Sequence, residues 1–453
     1  MRHIAFLLLV AASLLSVAAG ETRPRYGGTV RVMLQATPNT LEMPASPTTA
    51  EYRDSARILA LIADNLVKII DVAGRAQPAL ALAWQADMNG KRWQFTLRGG
   101  VKFHDGSAAS AVTVAQILGS LHSDWTVRGA GDSLTIESDA PLTSLPAELA
   151  LPRNAILKRN AGGLSVGTGP FRVVDFQPGK LLKLAANEES WVGRPFVDVV
   201  DVDLGRSLRD EAMALELGKT DVIEALPQPP ALNGGPPPIR TSLPVELMAL
   251  VFPANSKAQD ARVREALALA IDRKPIQSVL LKGVGESTAS ILPNWMTGYS
   301  AVFPVRASVQ RAKIVLADSR QPALILSYDP RDPQAQLIAE RIALNAREAG
   351  ITLQVSLSGA ADISLVRIVL PSPDPAISLR EAARSLGLPQ PLIHGNSVDD
   401  LYSAERSLLD AHTVIPLFHL PVASAAGARV RDWQPGRTGD WNLSNIWLEA
   451  DSR

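Results

Sequence analysis

The chain has 453 residues, in which 45 lysines and arginines are matched by 45 aspartates and glutamates, with six histidines and no cysteine. That length exceeds one ordinary core, so two or three domains, or one large composite, are expected. The even charge gives no electrostatic basis for a nucleic-acid or anionic-membrane partner, and the missing cysteines exclude thiol nucleophiles, disulfides, iron–sulfur clusters and cysteine-ligated zinc.

The N-terminus, "MRHIAFLLLVAASLLSVAAGETRPRYGG", sets Arg2 ahead of an apolar run over 4–19 and small residues before Glu21. This is the layout of a secretory signal peptide over 1–20. As a helix the run would span about 24 Å, short of the ~30 Å hydrocarbon core, so export followed by cleavage is expected rather than a permanent anchor. No cysteine follows the small residues, so no lipid anchor is expected and the periplasm is the expected location.

From Tyr26, "YGGTVRVML" alternates Val30, Val32 and Leu34 with Thr29, Arg31 and Met33, the pattern of a half-buried strand. A Pro/Thr-rich loop over 37–49 leads to "RDSARILALIADNLV", where Ile58, Leu61, Ile62 and Leu66 share one helical face. In "RWQFTLRGGVKF", Trp93, Phe95 and Leu97 lie on one strand face, and Gly99-Gly100 turn the chain toward Val101 and Phe103, which predicts a β-hairpin. His104 and Asp105 come next, a pair that suits general-base or metal chemistry. Asp105-Gly106 is also ordinary turn chemistry, and Ser110 is placed to cap a helix carrying Val114, Ile117, Leu118 and Leu121. No second histidine or carboxylate lies nearby in sequence, and the pair reads as structural.

Further on, "LPQPPALNGGPPPIR" is a stiff connection that no helix or sheet interior tolerates. "DARVREALALAIDR" predicts a helix with Val263, Leu267, Ala270 and Ile271 inward. "QLIAERIALNAREAGITLQVSL" predicts a helix, Gly350 as its stop, and a strand with Ile351, Leu353, Val355 and Leu357 alternating. Such helix–strand units argue for an α/β chain.

Signatures of chemistry are missing. The motifs GxSxG, HExxH and the P-loop do not occur, while "GVGEST" at Gly283 and "GTGPF" at Gly167 are glycine turns without the further residues that a nucleotide site needs. His394, His412 and His419 are spaced by 18 and 7 residues, unlike a helical metal pair. No enzyme, cofactor or metal site is expected. Trp295 follows a proline in a loop, where a flat ring is placed to wall a pocket.

Taken in order, "YGGTVRVML", "NLVKIIDVAGRAQPALALAWQADMNGKRWQFTLRGGVKFHDG", "VGTGPFRVVDF", "DARVREALALAIDR" and "EAGITLQV" resemble the peptide- and nickel-binding solute-binding proteins of ABC importers, family 5. The resemblance covers most of the mature chain and is most specific over 65–106. It implies an α/β, two-lobed periplasmic-binding-protein fold of type II, with a composite lobe from 26–48, 163–245 and 425–453, an inserted small domain over 49–162 and a second lobe over 246–424. The implied activity is non-enzymatic. A monomer captures an oligopeptide or peptide-like solute between hinged lobes and delivers it to an ABC permease in the inner membrane. Expected ligand contacts are Ser46 and Thr48 after the first strand, Trp295 as an aromatic wall, and the segment from Arg367 to Asp374 on the opposite lobe. Arg367 either meets a ligand carboxylate bidentately or sits at an edge facing water.

In peptide binders of this family an aspartate in that segment pairs with the solute ammonium. Here Asp362 and Asp374-Pro375 match the pattern, but the usual tryptophan position reads Ile368 and the ammonium-pairing position reads Pro371. A buried ammonium without its carboxylate costs about 2–5 kcal/mol. Asp374 then either substitutes for the lost carboxylate or is a turn aspartate before proline. The chain is also shortened after the "HDG" turn and ahead of "LYSAERSLLDAHTVIPLF". The alternative reading is a degenerate member acting as a sensor or protein-interaction module without transport.

Overall fold

The alternation of Val30 and Val32 becomes the strand Thr29–Met33, which pairs in parallel with Val199–Asp203, Val30 opposite Val200. The computed structural model describes residues 23–449 except 46–47, 161, 229–238, 318–322, 358–359, 394 and 396. The signal segment, Ser46, His394 and most of the proline-rich connection lie outside the described residues. No helix among the described residues is long and apolar enough to cross a membrane.

Eleven strands form one mixed sheet among the described residues. Its path runs from Phe171–Gln177 through Leu181–Ala186, Val199–Asp203, Thr29–Met33 and Val222–Ala225 to two thirteen-residue strands, Val414–Ala426 and Ile239–Val251. It continues through Ile363–Val369 and Leu324–Tyr328 to Leu353–Val355. The two long strands pair with each other along most of their length and are continuous from one half of the sheet to the other. Their apolar runs are buried on both faces, as covered sheets require. Met248 and Leu250 enter one core while Leu247 and Ala249 enter another.

Four main cores result. Val30, Phe171, Leu184, Val200, Trp433 and Ile446 belong to the first, and Leu66, Phe95, Phe103, Leu118, Leu134 and Ile156 to a second, beside the four-stranded sheet of the 81–137 region. The other two flank the far half of the large sheet. The helix Thr49–Ile62, which opens the region expected as an insert over 49–162, sends Ile58, Leu59, Leu61 and Ile62 into the first core beside Val30, Phe171 and Val200. Its extended C-cap at Ala63 ends the helix before Leu66, which joins the second core instead of the expected helical stripe.

Other local expectations divide by how local their cause is. Ser110 caps Ala111–Leu121 by accepting from the Thr113 amide at 3.2 Å, and Gly350 takes φ +94° after Ala335–Glu348. The expected hairpin across Gly99-Gly100 does not form. The strand Arg92–Leu97 pairs with Ala81–Ala86 and Ser133–Glu137, and the next segment offers only an isolated bridge between Lys102 and Ala108. Val101 and Phe103 are buried as loop residues, because their burial, rather than a strand partner, satisfies their apolar character. Leu121, at the end of its helix, and Leu357, two residues past the strand Leu353–Val355, both expected inward, are exposed.

A two-chamber cleft

The helix Thr49–Ile62 starts on a capping box, in which the Thr48 hydroxyl accepts from the Glu51 amide and the Glu51 carboxylate accepts from the Thr48 amide at 2.8 Å. This cap aims the helix across the space between the halves of the sheet. Thr49 Oγ1 donates to the Arg367 carbonyl on Ile363–Val369, so the helix start touches the far half. A cavity of about 550 Å³ lies on one side, lined among others by Thr48, Arg53, Glu246, Tyr328, Asp332 and Arg367. A second, of about 340 Å³, is lined by Tyr52, Arg57, Trp295, Pro371, Trp441 and others. The two share Arg53, Glu246 and Val422 in their walls, making one cleft of two chambers that meet at an ion pair.

That ion pair belongs to a buried network. Arg53 Nη2 lies 2.6 Å from Glu224 Oε1, and its Nη1 binds Glu246. Arg57 Nη1 joins Asp54 at 2.9 Å and Glu224 at 2.7 Å. Arg367 reaches Asp332 at 3.0 Å and Glu246 at 3.7 Å. Burial works against the charges of Arg53, Asp54 and Glu224. At Arg53, Glu224 and Glu246 together outweigh it and hold the guanidinium pKa above its ordinary value. At Glu224 burial is overcome by Arg53 and Arg57, which hold the carboxyl well below the usual range. Asp54 keeps a raised pKa, since burial exceeds what Arg57 returns. Glu211, buried beside Glu224 and giving one oxygen to the Glu224 amide at 2.9 Å, is pushed up to about 9. Removing one partner of such a network costs about 3–5 kcal/mol, because the other charge stays buried.

The expected contacts fall as follows. Ser46 lies outside the described residues. Thr48 lines the larger chamber while serving as the helix cap. Trp295 is in the short helix Asn294–Thr297, donates its indole N–H to the Pro244 carbonyl at 2.8 Å, and walls the smaller chamber. Arg367 lines the larger chamber, neither free nor turned to water: Asp332 and Glu246 occupy its Nη groups, and its buried Nε has no partner among the described residues. Asp374, the last of the expected contacts, has a local structural role. It caps Pro375–Ser385, accepting from the Ile377 amide at 2.9 Å, and is in neither chamber wall among the described residues. Pro371 walls the smaller chamber, whereas Ile368 is buried in a core.

His104 and Asp105 are structural, as read. Half-buried His104 accepts from the Gly167 amide at Nδ1 (3.3 Å) and bonds the Gly169 carbonyl through Nε2 (3.0 Å); partial burial lowers its pKa. Asp105 bonds Ser107 and Lys158. The "HDG" and "GTG" turns thus hold each other. Missed in the sequence were Tyr52, Arg53, Arg57, Glu224, Glu246, Asp332 and Trp441. Two signals existed: arginines four apart on a helix rich in apolar residues, and a lone glutamate in the apolar run "VELMALV".

A model of the bacterial extracellular solute-binding proteins, family 5 Middle, matches residues 75–364. The nickel-binding protein NikA of Staphylococcus aureus is 24% identical over 335 residues, covering 68% of this chain and 66% of that protein. The probable ABC transporter periplasmic-binding protein SapA of Escherichia coli is 32% identical over 138 residues, covering 30% of this chain and 25% of its own. The matches therefore span less than two thirds of these relatives. Among solved structures, a dipeptide-binding protein from Pseudoalteromonas sp. SM9913 in complex with Met-Leu has a TM-score of 0.77 at 17% identity, covering 93% of this chain and 100% of that one. The architecture is thus the α/β, two-lobed periplasmic-binding-protein fold.

Proposed function

The chain belongs to the bacterial extracellular solute-binding proteins of family 5, and from that membership we propose that it captures a peptide or peptide-like solute in its cleft and delivers it to an ABC importer. The observation that carries this reading is the two-chamber cleft between sheet halves joined by two continuous strands. Such strands form a hinge about which lobes close, burying the solute and strengthening each polar contact to it. The closed form is the one a permease recognises, and solute binding supplies the difference between open and closed. The protein works in the periplasm as a monomer and performs no chemistry on its cargo. Its composite lobe comprises 26–48, 163–245 and 425–453, joined by the helix Thr49–Ile62; the insert runs from about 65 to 162, and the second lobe covers 246–424.

The chamber walls combine hydroxyl, amide, aromatic and aliphatic side chains with no histidine among the described residues, which favours an organic solute over a metal complex. Ser46, Thr48, Trp295 and Arg367 are the contacts nearest to this role in the expected set, with Arg367 acting through the Asp332 and Glu246 network. Native mass spectrometry of the mature protein from its own periplasm, followed by denaturation and identification of the released molecule, tests the reading. A peptide or peptide-like mass that restores the bound form on re-addition is expected. A protein that stays empty and thermally unshifted across peptide pools overturns it.

A further inference from the structure

The geometry points to an uncharged, acylated terminus as the part of the solute that the smaller chamber takes, in place of a free ammonium; this rests on the solute-capture reading above. The chamber is aromatic and aliphatic, with Tyr52, Trp295, Trp441, Leu59, Leu370 and Val422 in its walls. Two of its buried charges already have partners of opposite sign. Glu246 is held by Arg53 and Arg367, and Arg57 is held by Asp54 and Glu224 while its guanidinium stacks 4.1 Å from the Trp441 ring centroid. Asp64 is engaged by the Thr168 hydroxyl at 2.8 Å and the Trp191 indole N–H at 2.9 Å. Asp440 and Lys68 are exposed at the rim, Asp440 accepting from Thr438. The wall at Pro371 carries no carboxylate.

An ammonium brought to that wall would face the Arg53 and Arg57 guanidiniums, with Asp54, Glu224 and Glu246 already paired to them and Asp64 held by two neutral donors. Two neutral donors are differently placed. The Tyr52 hydroxyl has no hydrogen-bond partner among the described residues, and burial raises its pKa, so it stays protonated and able to donate. The buried Trp441 indole N–H also lacks a partner among the described residues. An apolar group ending in a carbonyl supplies what is missing: surface for the rings and an acceptor for the hydroxyl. An acyl-blocked amino terminus has that chemistry. The larger chamber, with the Thr48 and Ser327 hydroxyls and the Gln35, Gln228 and Gln334 amides, takes the polar remainder.

The test is a competition, read by native mass spectrometry, between a pool of N-acetylated tripeptides and the same tripeptides with free amino termini at equal concentration. Acetylated complexes are expected to dominate by roughly thirtyfold or more, the range set by burying an unpaired ammonium. Tyr52→Phe, which keeps the ring and removes the donor, should weaken acetylated binding by roughly two- to tenfold. Pro371→Asp, which sets a carboxylate in the wall, should turn the preference toward free amines. If the unaltered protein binds free-amine peptides equally or better, this inference falls while solute capture stands. If Pro371→Asp folds and binds with its preference unchanged, the terminus does not sit at this wall and the inference falls as well. If neither pool binds, the peptide reading and this inference fall together.

Discussion

Replacing Glu405 with glutamine should shift the pH dependence of stability in favour of higher pH, by an amount that follows from two buried groups acting in opposition. Glu405 lies on the helix Val398–Leu409, fully buried, accepting from the Ile291 and Leu292 amides and bonded to the Tyr299 hydroxyl. Burial raises its pKa from 4.5 to about 7, against the pull of Tyr299 and the two amides. Between those values the unfolded chain has lost a proton that the folded chain still holds, so this contribution is present at low pH and is lost as pH rises through about 7. At about 1.4 kcal/mol per pH unit the loss approaches about 3 kcal/mol. His419, bonded to the Ile291 carbonyl at 3.0 Å, has the opposite sign: burial lowers its pKa from 6.5 to about 4, and its contribution is lost as pH falls through that window. In the natural protein the two largely offset between pH 5 and 8. Glutamine keeps the shape and the acceptor for both amides but does not titrate, leaving His419 unopposed. Urea unfolding at pH 5 and pH 8 should then show the variant gaining about 2–3 kcal/mol more than the natural protein over that interval. Glu211 titrates alike in both proteins and cancels in the difference. Parallel profiles would refute the argument.

Arg53→Met leaves Glu224 and Glu246 short of a cation at the junction of the chambers and should destabilise by about 3–5 kcal/mol, less at pH 5 than at pH 8 because the freed carboxylates take up protons; denaturant midpoints at the two pH values check this. Gly167→Ala would set a Cβ 2.0 Å from the Ile62 carbonyl oxygen, so a lower unfolding midpoint, by about 2–3 kcal/mol, is expected in the same assay. Arg153 joins Glu148 on Leu145–Leu149 to Glu381 on Pro375–Ser385, at 2.5 and 2.7 Å, beside a small apolar cluster of Ala147, Leu151 and Ile377. Arg153→Ala should change stability by less than about 1 kcal/mol and quicken solute release several-fold, read by stopped-flow tryptophan fluorescence; an unchanged off-rate would separate this contact from closure.

The parts of the fold legible in the sequence share one property, a cause confined to a few neighbouring residues. The cap at Ser110 and the stop at Gly350 need only local backbone groups, and the period of Val30 and Val32 needs only a covered face. Gly99-Gly100 misled for the complementary reason. A glycine pair permits a hairpin, but Arg92–Leu97 takes its partners from 81–86 and 133–137, and sheet pairing goes to whichever strands bury the most apolar surface together. The cleft was least legible, since Arg53 meets Glu224 and Glu246 across 171 and 193 residues and no spacing rule reaches that far. One trace of it was nonetheless present. A glutamate inside a run buried on both faces cannot be tolerated unpaired, so Glu246 alone implies cations brought to it from elsewhere in the chain. Arginines at 53 and 57, on a helix that supplies only Asp54 as an inward carboxylate, are the cations whose burial calls for further carboxylates in return. Matching buried charges of opposite sign, rather than searching for motifs, is therefore the sequence operation that would have led to this cleft.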